Sequence, residues 1–140
     1  MNPERPLVDV AVGMLCRSDG AVLMASRPAG KPYAGYWEFP GGKFEHSEDV
    51  AAALTRELQE ELGIAVIQTE PAWEIEHDYP HARVRLLFCW VTEWEGQIKP
   101  LEQQQTLWVA PSAAWPYPVL PASIDFLPQI QRQAAQRADS

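Results

Sequence analysis

The chain has 140 residues, of which 46% are hydrophobic and 21% charged, and a formal net charge of −8. This length supports one domain with its own core, without disulfides or a structural metal as staples, and the composition excludes disorder outside the two ends. The acidic balance excludes a nucleic acid polymer as partner, since that affinity comes from Lys and Arg, but admits a small phosphorylated ligand carried on divalent cations.

The opening stretch MNPERPLVDVAVGMLC has no basic region followed by a long apolar segment, and no apolar run reaches membrane-spanning length. A cytoplasmic protein without membrane contact is expected. Leu7 to Cys16 and Ala21 to Ala25 are apolar runs joined by Ser18-Asp19-Gly20, which predicts a β-hairpin. Pro28 to Tyr36 reads as a loop. Trp37-Glu38-Phe39 reads as a short strand entering Pro40-Gly41-Gly42, where a glycine pair lets the backbone come close to a neighbour. Cys16 and Cys89 lie in apolar runs and are expected as buried reduced thiols, since His46, His77 and His81 lack zinc-ligand spacing.

Ser47 to Leu62 contains no Gly or Pro, and Val50, Leu54, Leu58 and Leu62 recur on one helical face. Glu48 and Asp49 are expected in the first turn of this helix and Gly63 at its C-cap. Ile64 to Ile67 and Trp73 to His77 follow as two strands, then Val84 to Glu93 as a buried strand and Trp94-Glu95-Gly96-Gln97 as a turn. Thr106 to Val109 reads as a strand, Pro111 to Trp115 as a helical turn, and Ile124 to Ala135 as a last helix before a frayed tail. Strands before and after helices, without regular βαβ alternation, predict an α/β fold with a mixed sheet packed by helices.

At about 100° per residue, Glu57, Glu60 and Glu61 project within one arc of the central helix, beside the arc of Leu54, Leu58 and Leu62. Three carboxylates so close repel one another unless cations separate them, and such oxygen-rich clusters suit magnesium or manganese. For the triplet alone, a solvated helix face is the commoner outcome. The wider pattern shifts that balance. GKFEHSEDVAAALTRELQEELGI satisfies G-x5-E-x7-R-E-U-x-E-E-x-G-U, where U is a bulky aliphatic, through Gly42, Glu48, Arg56, Glu57, Leu58, Glu60, Glu61, Gly63 and Ile64.

This segment resembles the Nudix box. With WEFPGGK before it and a WEG turn after it, the chain resembles the MutT-type branch over roughly residues 7 to 130. The resemblance implies an α/β/α sandwich with a mixed β-sheet, a single Nudix hydrolase domain over 1–140 and its box at 42–64. It also implies Mg2+-dependent cleavage, with Mn2+ as substitute, of a nucleoside triphosphate to the monophosphate and pyrophosphate. The leading substrate is 8-oxo-dGTP, in a nucleotide-pool sanitising role. The alternatives are CTP or 5-methyl-dCTP, or a non-catalytic nucleotide-binding module. The implied partner is a small-molecule nucleotide, and the implied state a monomer or weak dimer.

By the same resemblance, Glu57, Glu60, Glu61, Glu102 and the Gly41 carbonyl would hold metal. Glu57 is the first candidate for general base and Glu102 the second. Arg56 would orient the acidic residues through ion pairing, with Glu48 in support. Substrate would meet Arg27, Glu38, Phe39, Pro40, Gly41, Lys43, Tyr79 and Ser123. Arg27 and Lys43 suit phosphate, and Phe39 and Tyr79 suit the faces of a base. Ser123 stands where MutT carries a base-reading asparagine, and a hydroxyl cannot form the paired amide contact.

Overall fold

The computed structural model describes residues 6–138. In chain order it contains β1 (Leu7–Leu15), β2 (Val22–Ser26), β3 (Trp37–Glu38), β4 (Gly41–Lys43), α1 (Val50–Leu62), β5 (Ala65–Asp78), β6 (Arg83–Glu95), β7 (Thr106–Val109), α2 (Pro121–Ile124) and α3 (Leu127–Ala138). The strands form a four-stranded sheet in the order β4-β1-β6-β5 and a three-stranded sheet in the order β3-β2-β7. β1 runs parallel to β6 along its whole length and antiparallel to β4, so the larger sheet is mixed as expected. The smaller one is antiparallel throughout.

Strand alternation sends side chains to two cores. Val12, Met14, Phe88 and Trp90 face one side, where Leu127, Ile130 and Ala134 of α3 close the layer. Ala11, Leu15, Cys89 and Val91 face the other, where Leu54, Leu58 and Leu62 of α1 pack down. The result is the α/β/α sandwich. Gly13 lets α1 come close to β1, for a Cβ there would lie 3.1 Å from Leu54 Cδ1 and 3.4 Å from Leu58 Cδ1. Cys16 and Cys89 are buried and free, and no described helix is long and apolar enough to cross a membrane.

The hairpin expected between Leu7 and Ala25 does not form. One bridge, Cys16 to Val22, follows the turn, and the strands then part into different sheets. Both edges of β1 are taken by β4 and β6, which leaves β2 to pair with β3 and β7. The two strands expected at Ile64–Ile67 and Trp73–His77 are one strand, β5, with register shifts between Val66 and Thr69 and between Pro71 and Trp73. Pro71 reads as a break, but β5 lies at the sheet edge, where proline and bulges are tolerated.

α1 begins at Val50 rather than Ser47, with Asp49 as its N-cap, so Glu48 and Asp49 precede the first turn. Ser47 has φ 69°, outside the helical region. Gly63 caps the other end with φ 70° and donates its N–H to Gln59 O at 3.0 Å. Pro111 to Trp115 forms a turn closed by Ala113 N–H on Ala110 O, not a helical segment, because Pro116 and Pro118 follow at once. The last helix starts at Leu127 rather than Ile124, after the unforeseen α2, and runs through Ala138. The frayed tail expected after Ala135 is therefore helical to that point, and its last two residues lie outside the described ones.

Candidate active site

The site is built where α1 faces β4. A cavity of about 510 Å3 is lined by Glu57 and Glu61 of α1, by Gly41, Gly42 and Lys43 of β4, and by Glu102 and Gln104 from the loop before β7. Arg27, Lys31 and Tyr33 from the loop after β2, Glu38 and Phe39, Tyr79 and His81 from the β5–β6 turn, and Ala122 and Ser123 of α2 complete its walls. The glycine pair has a steric cause. A Cβ at Gly42 would overlap the Glu57 carboxylate, and one at Gly41, where φ is 154°, would overlap the Ala11 carbonyl.

Arg56 is the hub that holds the acidic residues. Its Nε and Nη2 grip both oxygens of Glu48 at 2.7 and 3.0 Å, its Nη1 reaches Glu57 Oε1 at 2.9 Å, and Nη2 also donates to the Lys43 carbonyl at 2.9 Å. Such a fork fixes α1 against the β4 loop and sets the Glu57 carboxylate in place. The Arg56 guanidinium keeps the Glu48 carboxyl below the usual carboxylate range.

Glu61 is buried, and its Oε2 has no hydrogen-bond partner. Burial, with a hydrogen bond to Glu57 and the fields of Glu57, Glu38 and Glu102, pushes its carboxyl up to about 9. A buried carboxyl with one oxygen orphaned, beside the part-buried carboxylate of Glu57, presents oxygen donors of the kind a hard divalent cation takes. Among the described residues no three His, Cys, Asp or Glu side chains stand together as a finished cage.

A profile of the NUDIX domain family matches residues 11–128. The chain is 40% identical over 95 residues to an 8-oxo-dGTP diphosphatase of Proteus vulgaris, covering 68% of this chain and 85% of that protein. It is 37% identical over 135 residues to a CTP pyrophosphohydrolase of Escherichia coli (strain K12), covering 95% of this chain and 98% of that one. The chain belongs to the NUDIX domain family. A solved structure described as MutT, from a study of the Aliivibrio salmonicida and Vibrio cholerae proteins, superposes with a TM-score of 0.76 at 30% identity, covering 91% of this chain and 99% of that one. The chain is accordingly a MutT-type Nudix hydrolase, a pyrophosphohydrolase of a family that uses divalent metal.

Within this Nudix fold the expected site residues divide. Glu57, Glu61, Glu102, Gly41, Arg27, Glu38, Phe39, Lys43, Tyr79 and Ser123 all line the one cavity. Glu60 does not. Its side chain is 54% exposed and reaches Arg56 Nη1 at 3.4 Å, so the three helix glutamates do not converge. Pro40 is buried outside the cavity lining, with its carbonyl accepting from Gly13 N–H at 2.7 Å. Arg56 stays behind Glu57.

Arg27 is held by Glu38 Oε1 at 3.0 Å and by the Pro32 carbonyl at 2.7 Å. Burial raises the Glu38 carboxyl and Arg27 opposes it. Tyr79 is buried, and its hydroxyl accepts from Ala122 N–H at 3.0 Å, tying the β5–β6 turn to α2 beside Ser123. The cavity is also lined by residues that sequence reasoning missed. Lys31 and Tyr33 sat in a stretch read only as loop, and Tyr33 has φ 60° with its ring 5.3 Å from Tyr79 and 6.0 Å from His81. Gln104, one of three consecutive glutamines, carried no signal.

Proposed function

We propose that this Nudix hydrolase cleaves 8-oxo-dGTP to 8-oxo-dGMP and pyrophosphate, keeping an oxidised guanine out of the nucleotide pool. The observation that carries the reading is the continuity of the cavity. It joins the carboxylates Glu57, Glu61 and Glu102 to the aromatic walls Phe39 and Tyr79 and to Ser123. Glu38, paired with Arg27, is within electrostatic reach of both Glu61 and Tyr79, so the two groups of residues adjoin. The relatives that are 8-oxo-dGTP diphosphatases support the same substrate.

A divalent cation, magnesium with manganese as substitute, supplies neutralisation of phosphate charge and activation of water. Glu57 and Glu61 would hold it, with the Gly41 carbonyl and Glu102 as further donors, whereas Glu60 would first have to leave Arg56 and turn inward. Arg56 fixes Glu57 so that the carboxylate is aimed before substrate arrives. Glu57 takes the proton of the attacking water, and Glu102 is the second candidate for that role. Water adds to one phosphorus of the α–β anhydride, the bridging P–O bond breaks, and the departing phosphate fragment keeps the electron pair, giving monophosphate and pyrophosphate. Arg27 and Lys43 orient the phosphates, and no covalent nucleophile is required.

Residues 1–140 act as one domain with the box at 42–64, and the enzyme works in the cytoplasm as a monomer or weak dimer. Its buried free thiols suit a reducing compartment.

A second reading, hydrolysis of CTP or 5-methyl-dCTP, is favoured by the CTP pyrophosphohydrolase relative matched along nearly its whole length, and Ser123 does not decide between the two. Comparison of kcat/KM for 8-oxo-dGTP, dGTP, CTP and 5-methyl-dCTP separates the two. The proposal expects 8-oxo-dGTP to exceed dGTP by at least about tenfold, roughly 1.4 kcal/mol of transition-state discrimination. A smaller ratio, or a preference for the cytosine nucleotides, would overturn it.

A further inference from the structure

Three glutamines follow Glu102 in a row, and only the middle one is buried. Gln104 is 6% exposed, whereas Gln103 and Gln105 are exposed. The Gln104 side chain uses both ends of its amide. Its Oε1 accepts from the backbone N–H of Glu102 at 2.9 Å, and its Nε2 donates to the backbone carbonyl of Glu61 at 3.3 Å. A buried amide satisfied at both ends is a stiff link, since breaking either bond leaves a polar group stranded.

The rest of the loop hangs on the same helix end. Leu101 N–H donates to Glu61 O at 3.0 Å and Lys99 N–H to Leu62 O at 2.9 Å. These are among the last carbonyls of α1, which a helix leaves without internal partners. Glu102 itself is exposed, yet it lines the cavity with Glu57 and Glu61. Gln103, which follows it, has φ 63°, so the chain turns sharply between the exposed acid and the buried amide.

We propose that Gln104 is the positioning residue for Glu102: by bridging the Glu102 N–H and the Glu61 carbonyl it sets the third carboxylate at a fixed reach from the buried one. The inference rests on Glu102 serving at the cation site, as in the function proposed above. Both ends of the Gln104 amide are taken by backbone groups. It acts through Glu102, as outer partners of metal ligands do.

The test is a double-mutant cycle on the full chain, with Gln104→Ala, Glu102→Gln and the pair. The readouts are kcat and KM for dGTP, calorimetric titration with Mn2+ alone, and thermal melting. Gln104→Ala is expected to lower kcat and Mn2+ affinity by about ten- to a hundredfold, with KM within about threefold. In the Glu102→Gln background the same substitution should add less than about twofold, because the partner it positions is already gone. Gln105→Ala should leave all readouts within about twofold, its side chain being exposed. Where Gln104→Ala melts too low to assay, Gln104→Met keeps the volume and removes only the hydrogen bonds.

Equal losses in both backgrounds would overturn the proposal, because Gln104 would then act without Glu102. Unchanged Mn2+ affinity together with unchanged kcat would overturn it equally. A wild-type chain that hydrolyses no nucleoside triphosphate contradicts the proposed function instead, and the Mn2+ arm of the cycle still decides the role of Gln104.

Discussion

A methyl group at Gly42 would occupy the space of the Glu57 carboxylate, so the glycine of the box serves the acid as much as the backbone. Gly42→Ala is expected to displace Glu57 and lower kcat by about tenfold to a hundredfold, the scale set by a misplacement near 1 Å. Circular dichroism should keep its native shape, and a kcat within twofold of wild type would contradict the assignment. Glu61 gives a second handle. Its folded carboxyl is raised to about 9 against an ordinary 4.5, so in chelator the folded state keeps a proton that the unfolded state releases. The stabilisation is therefore complete below about pH 4.5 and is lost as pH rises towards about 9. The metal-free melting temperature should fall across that window, and Mg2+ should flatten the fall by taking the ionised form. A metal-free melting temperature that climbs from pH 5 to 9 would contradict the burial of Glu61.

Among the elements, α1 carries both the core and the acids, and its boundaries are local events. Asp49 Oδ1 accepts from Ala52 N–H at 2.8 Å, satisfying one free donor of the first turn. Asp49→Ala should cost about 1 kcal/mol in urea unfolding while kcat stays near wild type, since Asp49 does not line the cavity. A cost below about 0.3 kcal/mol would mean that the cap contributes nothing. This helix was legible in the sequence because its apolar period and its Gly63 cap lie within one segment, whereas its start and the outward turn of Glu60 were not. The hairpin was misread for the opposite reason. Whether β1 pairs with β2 depends on which strands occupy its edges, and β6, its parallel neighbour, lies some seventy residues away. β5 was split for want of the same information, as Pro71 breaks a central strand but not an edge one.

At the scale of the whole molecule, a chain of net charge −8 does not attract a polyanion by its overall field, yet one cavity sets Arg27, Lys31 and Lys43 beside Glu57, Glu61 and Glu102. The two sheets bring Arg27, Glu57, Tyr79, Glu102 and Ser123 to one cavity from five separate segments. The box made the acids and the chemistry readable because it is contiguous. Other parts of the cavity wall were less so: Tyr33, His81 and Gln104 owe their places to loops whose courses no local pattern dictates. The central claim is that the carboxylates of this cavity drive hydrolysis of a nucleoside triphosphate. Its most direct measurement is Mg2+-dependent pyrophosphate release by Glu57→Gln against wild type, with 8-oxo-dGTP, dGTP, CTP and 5-methyl-dCTP. kcat should fall by about a hundredfold or more for every triphosphate, at least roughly 2.7 kcal/mol, with the native melting transition retained. Turnover within about twofold of wild type would contradict it.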